Sequence, residues 1–167
     1  MKIFTVCFFG HRQVDDYKNV DQSVYDIVCR LIKEKEYVDF FVGREGDFDQ
    51  IVSSAVIRAK KNIFDGNSSL IWVQPYLKAD YRDYPEDYES YYDFVEICSE
   101  SEIVHPKAAI QTRNRNMIDR SDLCVFYVSK EHGGAWQTLQ FAKQQKKEII
   151  NITQETKQDA GIDIVYG

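Results

Sequence analysis

Three apolar runs in this sequence each end in glycine beside basic side chains: IFTVCFF leads into Gly10-His11-Arg12, VDFFV into Gly43-Arg44-Glu45-Gly46, and LCVFYV into Lys130-Glu131-His132-Gly133-Gly134. Glycines that open a helix let the backbone turn tightly and aim free N–H groups at an anion, and the helix dipole adds favourable charge. Gly133-Gly134 is the best such pair here, although two glycines also make an ordinary turn. Thr138, one turn further on, has a hydroxyl suited to a phosphate oxygen or to capping the helix, while Arg12 and Arg44 supply charge from other loops. Arg113 and Asn114, within QTRNRNM, form either a solvated helix face or a guanidinium and an amide beside the glycine corner. Trp136 either contacts a base or ribose or packs under the loop. The chemistry in view is capture of a phosphate-bearing, nucleotide-like ligand.

Acid–base chemistry has three candidates in Glu45, Asp49 and Asp119, whose carboxyls could approach a ribose. The alternatives are structural: Asp47 as a helix cap, and Asp119 as a cap or a partner of Arg120. His11 serves either as a base or as a group fixing its loop. His11, His105 and His132 show no metal-ligand spacing, and Cys7, Cys29, Cys98 and Cys124 lie in apolar runs without a CxxC pair. Buried reduced thiols, no metal and no cofactor are therefore expected.

The elements that must position these groups alternate. Strand-like runs occur at Ile3 to Phe9, Val38 to Val42, Leu70 to Val73, Phe94 to Ile97, Leu123 to Val128 and Ile149 to Ile152; helix-like spacing covers Val20 to Lys35, a stretch from about Asp47 to Ala59, Lys107 to Arg120 and Gly134 to Gln145. Tyr76 to Tyr92, dense in Tyr and Asp, has no clean period and reads as a loop or irregular helix whose aromatics either stack on a base or form a dimer interface. Strands alternating with helices predict an α/β fold, a Rossmann-like three-layer sandwich around a mainly parallel sheet, with ligand beyond the carboxyl ends of the strands.

With 167 residues, 44% of them hydrophobic, a single domain over residues 1–167 is expected. The net charge of −6 weighs against a surface that attracts nucleic acid as a whole, so direct nucleic-acid binding is not expected and an anion must be held by a local site. There is no signal-peptide pattern and no apolar run long enough to span a bilayer, which predicts a cytoplasmic protein without membrane contact.

The ordered set FFGHR, a glycine loop opening a helix, RNRNMIDRSD, then a strand and HGGAWQT resembles the YpsA-like branch of the superfamily joining the DNA-processing protein DprA to the LOG phosphoribohydrolases. The matching positions are Gly10, His11 and Arg12; Arg113, Asn114, Met117 and Asp119; and Gly133, Gly134 and Thr138. The resemblance spans about residues 3–152. It implies a Rossmann-like sheet, a homo-oligomer, and binding or sensing of a nucleotide or nucleotide-derived ligand at the glycine loop. It also implies an alternative, an N-glycosidic-bond enzyme of the phosphoribohydrolase or deoxyribosyltransferase type. LOG enzymes carry PGGxGTxxE, whereas here His132 replaces the Pro, the path to Thr138 is one residue longer, and Gln140 or Phe141 stands where the Glu would fall. LOG-type hydrolysis by the same machinery is therefore not expected.

Overall fold

Apolar residues on β1 (Ile3–Gly10) alternate between two cores, which is why the run is continuous and not striped. Val6 and Phe8 face one side of the sheet with Phe40 and Trp72, while Cys7 and Phe9 face the other with Phe41, Val73 and Phe126. The first core is covered by α1 (Tyr17–Glu34) and α2 (Asp47–Ile63), whose buried Val24, Ile27, Val28, Leu31 and Ile51, Val52, Ala55 recur at helical spacing. The second is covered by α6 (Pro106–Asp119) and α7 (Gly134–Gln144) through Met117, Ile118, Leu139 and Ala142. The result is the expected three-layer α/β sandwich. The structure, a computed structural model, describes residues 1–64, 66–155 and 165–166.

The remaining strands are β2 (Tyr37–Val42), β3 (Ser68–Gln74), β4 (Phe94–Ile97), β5 (Leu123–Tyr127), β6 (Glu148–Asn151) and β7 (Val165–Tyr166). Their order is β4-β3-β2-β1-β5-β6-β7, with the first six parallel and β7 antiparallel to β6. The chain first builds outward from β1 to β4, then crosses to β5 on the other side of β1. Loops diverge at the carboxyl ends of β1 and β5, leaving the crevice in which open α/β sheets bind ligands. Element ends shift by one to a few residues from the expectation, Ile152 opens a short helix, α8 (Ile152–Glu155), and β7 was not foreseen.

The Tyr-rich stretch holds two short helices, α3 (Ala79–Asp83) and α4 (Pro85–Glu89). They exist because Trp72 needs a lid: Tyr81, Tyr88 and Tyr92 stack around its indole with ring centroids 5.9, 5.2 and 5.4 Å away. A further short helix, α5 (Ser99–Glu102), leads from β4 into α6. Among the described residues no helix is long and apolar enough to cross a membrane.

Candidate functional site

A cleft of about 540 Å³ opens at the carboxyl ends of β1, β2 and β5. Close packing of three loops shapes it. Gly10 ends β1 because a Cβ there would fall 2.6–2.7 Å from Phe48 of α2, and Gly46 is required because its Cβ would meet the Arg12 backbone at 2.5 Å. The Asp47 amide donates to the Arg12 carbonyl (2.8 Å), and the Asp47 carboxylate accepts from the Val14 amide (3.1 Å). Asp47 thus ties the loops after β1 and β2 together, which places Arg12 on the cleft wall. His11 performs the same service for the loop after β5. Its Nε2 accepts from the amides of Ser129 (3.0 Å) and Lys130 (3.3 Å), and burial, then the charges of Lys130 and His132, lower its pKa so that the accepting neutral ring is favoured.

Gly133 has φ +93°, a conformation natural to glycine, and no side chain caps α7. The first-turn amides are therefore left without intrahelical partners where Gly133, Gly134 and Ala135 line the cleft. Arg12, Lys107 and Lys130 line it too, are exposed, and make no ion pair among the described residues. The cleft is a local cationic site on an acidic protein.

One wall is a buried polar network. Arg113 is 2% exposed, and its guanidinium donates to Glu45 (2.9 Å), to the Val73 carbonyl (2.8 Å) and, through Nε, to Asn114 Oδ1 (3.0 Å). Asn114 Nδ2 donates to Thr138 Oγ1 (3.1 Å), and Thr138 donates to the Gly134 carbonyl (2.9 Å). The loop after β2 and the α7 turn are joined by this chain. Asp49 accepts from the Glu45 amide (2.8 Å) with its carboxyl beside that of Glu45. Burial raises the Glu45 pKa, but Arg113 and Lys78 outweigh it and hold the group below its ordinary value. Burial and then the neighbouring Glu45 charge push Asp49 up to about 7. The pair divides into an ionised Glu45 and an Asp49 that holds a proton near neutrality.

Of the residues expected here, Gly10, His11, Arg12, Gly43, Glu45, Asp49, Arg113, Asn114, Gly133 and Gly134 share the cleft. Arg113 does so as the counter-ion of Glu45, so its charge is already partnered. Four of the candidates do not line the cleft. Arg44 turns away and donates to the Tyr92 hydroxyl (3.1 Å). Thr138 is 1% exposed, because one turn into α7 faces the sheet and its hydroxyl bonds back to Gly134. Trp136 is half-buried and packs against the second core, the packing alternative of the two the sequence offered. Asp119 lies at the far end of α6, about 18 Å along the helix from Lys107 at 1.5 Å per residue, where its carbonyl accepts from Lys147 (3.3 Å). Lys107, Gln111, Lys130 and His132 line the cleft without having been assigned to it. Lys107, Ile110, Gln111 and Asn114 occupy positions i, i+3, i+4 and i+7 of one helix face, so stepping back from Asn114 would have found them. Among the described residues no three His, Cys, Asp or Glu side chains group as a metal site.

No protein-family model matches the chain, and no curated protein matches it by sequence. Solved structures do match. DNA processing protein A from Helicobacter pylori, described for its single-stranded DNA binding mode, is 16% identical with a TM-score of 0.62 over 87% of this chain and 63% of that one. DprA from Streptococcus pneumoniae is 15% identical with a TM-score of 0.63 over 88% and 49%, and TM1055 is 12% identical with a TM-score of 0.56 over 87% and 72%. The chain spans less than two thirds of either DprA protein. The expectation that direct nucleic-acid binding is unlikely is corrected by the first of these, a single-stranded DNA binder whose fold this chain shares; overall charge does not decide the question for such a fold. At these identities the likeness is one of fold, a Rossmann-like α/β sandwich.

Proposed function

We propose that the cleft binds a nucleotide or nucleotide-derived ligand, with its phosphate on the uncapped N-terminus of α7. The observation that carries this reading is convergence: the Gly133-Gly134 corner and the cations Arg12, Lys107 and Lys130, drawn from three separate segments, line one cleft at the switch point of the sheet. The three sequence motifs of the YpsA-like branch reach that same cleft through Gly10 to Arg12, Arg113 with Asn114, and Gly133 with Gly134, which supports placing the chain in that branch. The single-stranded DNA binding of the Helicobacter pylori protein brings strand phosphates within the same chemistry. The test is calorimetric titration with adenosine monophosphate, adenosine and inorganic phosphate. The monophosphate should bind more tightly than adenosine, and Arg12→Ala or Lys130→Ala should each weaken it about tenfold or more, as expected for a charge-assisted hydrogen bond of ~1.5–3 kcal/mol. Equal binding of adenosine and its monophosphate would refute the phosphate site.

A second reading, cleavage of an N-glycosidic bond, is favoured by one observation, the divided Glu45–Asp49 pair. A carboxylic acid with a pKa near 7 can protonate a departing base, and an ionised neighbour stabilises an oxocarbenium-like sugar. Release of free base from nucleoside monophosphates, abolished in Asp49→Asn, would establish it; unchanged release in that variant would remove Asp49 from the reaction.

A further inference from the structure

Adjacent residues of the loop after β2 face opposite ways. Gly43 and Glu45 line the cleft, whereas Arg44 enters a second cavity of about 460 Å³ lined by Tyr17, Tyr88 and Tyr91 together with Gln50, Ser54 and Asp87. We propose that this cavity is a nucleobase-stacking subsite, in which the tyrosine rings take the base and Arg44 its phosphate.

The position of Arg44 is built. Its guanidinium lies 5.0 Å from the Tyr88 ring centroid and 5.9 Å from that of Trp72, and Nη1 donates to the Tyr92 hydroxyl at 3.1 Å. It makes no ion pair among the described residues, so its positive charge remains available to an anion. Beneath it, the Trp72 indole N–H is buried without a hydrogen-bond partner. Tyr17 and Tyr91 are 51% and 41% exposed, offering ring faces at the surface.

Other ligand classes fit this combination poorly. A purely apolar ligand would bury the Arg44 charge without a counter-ion and strip water from the Asp87 carboxylate. A quaternary ammonium, the usual guest of an aromatic cage, would be repelled by the guanidinium. A bare inorganic anion would use Arg44 alone, leave the rings idle and meet the Asp87 carboxylate. A nucleobase with its phosphate uses every group: ring faces stack on Tyr, edge N–H groups donate to Asp87, the Gln50 amide both donates and accepts, and the phosphate pairs with Arg44. The base can belong to a free nucleotide or to a single strand. For a strand held in the first cleft, an extension that rests on the phosphate reading above, the neighbouring base would fall across the loop into this cavity.

Fluorescence anisotropy with a labelled ten-residue oligothymidylate, an abasic strand of equal length, and unlabelled thymidine monophosphate as competitor tests the proposal on the full chain. Tyr17→Ala and Tyr91→Ala, both at exposed positions, should weaken oligothymidylate about fivefold or more, the loss expected from one unstacked base. Tyr91→Phe keeps the ring and should remain within about twofold, and the abasic strand should not respond to any Tyr variant. The same Tyr dependence for the monophosphate identifies the ligand as a free nucleotide, and dependence seen only with the strand identifies it as single-stranded nucleic acid; either supports the subsite. Wild-type affinity in both alanine variants, equal losses for the abasic strand, or no binding of either ligand by the unchanged protein would overturn it. Arg12→Ala serves as the cleft control: a loss there with none in the Tyr variants leaves the phosphate reading standing and removes only the stacking subsite.

Discussion

Replacing Asp49 by Asn should stabilise the protein, and should do so more strongly as the pH rises. Asn has nearly the shape of a protonated Asp, its oxygen can accept from the Glu45 amide as Asp49 does at 2.8 Å, and its NH₂ can face the Glu45 carboxylate. In the native protein burial and Glu45 push Asp49 from 3.8 to about 7. Because the folded state holds this proton more tightly than the unfolded chain, the associated stability is complete below pH 3.8, is lost as pH rises towards 7, and changes little beyond. Integration gives a loss of about 2 kcal/mol by pH 5 and about 4 kcal/mol by pH 8, so the advantage of Asn over Asp should grow by about 2–3 kcal/mol between those values. Urea unfolding followed by circular dichroism at pH 5, 6, 7 and 8, for both proteins, measures it. A stability difference that stays flat across this range, or a wild type that gains on the variant with rising pH, would refute the shared-proton geometry.

Three other outcomes follow from the same contacts. Arg113→Met should cost about 3–5 kcal/mol in denaturant unfolding, since it leaves the mostly buried Glu45 with Lys78 at 3.8 Å as its one counter-ion among the described residues, and adding Glu45→Gln should recover much of the loss. His11 accepts two amides as a neutral ring with a lowered pKa, so its contribution is present above the ordinary imidazole value of 6.5 and lost as pH falls through the folded value; the Ser129 and Lys130 amides should lose hydrogen-exchange protection on acidification, and unchanged protection would contradict this. Gly133→Ala places its Cβ in open space and should cost about 1 kcal/mol by strain at φ +93°, whereas Gly10→Ala drives a methyl into Phe48 and should cost about 1–3 kcal/mol; thermal unfolding should separate the two.

Much of the sheet was legible because burial on both faces makes a parallel strand a continuous apolar run, and the glycine ending each of β1 and β2 showed where the loops begin. The cleft was legible to the extent that loops at strand ends must gather at the switch point. What a linear pattern does not carry is the direction in which a loop side chain leaves the backbone. Arg44 and Glu45 are neighbours in sequence yet serve different cavities, because Arg113 draws Glu45 inward while Tyr88, Tyr92 and Trp72 draw Arg44 outward. Thr138 and Trp136 were placed by closeness to the glycines, but the rotation of α7 sends Thr138 to the sheet and lays the half-buried Trp136 against the second core. The proton on Asp49 needs the fold, since it depends on a carboxylate four residues away that is itself held by an arginine from α6. Asp119 was misplaced because its motif runs from the middle of α6, at Arg113, to the last residue of that helix.

The most direct measurement of the central claim is a nuclear magnetic resonance titration of ¹⁵N-labelled protein with adenosine monophosphate, following the backbone amides of Gly133, Gly134 and Ala135. Progressive, saturable downfield shifts of these amides, reduced in Arg12→Ala and absent with adenosine, are the expected result. Saturable binding that leaves all three amides unmoved would place the phosphate elsewhere and contradict the assignment of the α7 N-terminus as the anion site.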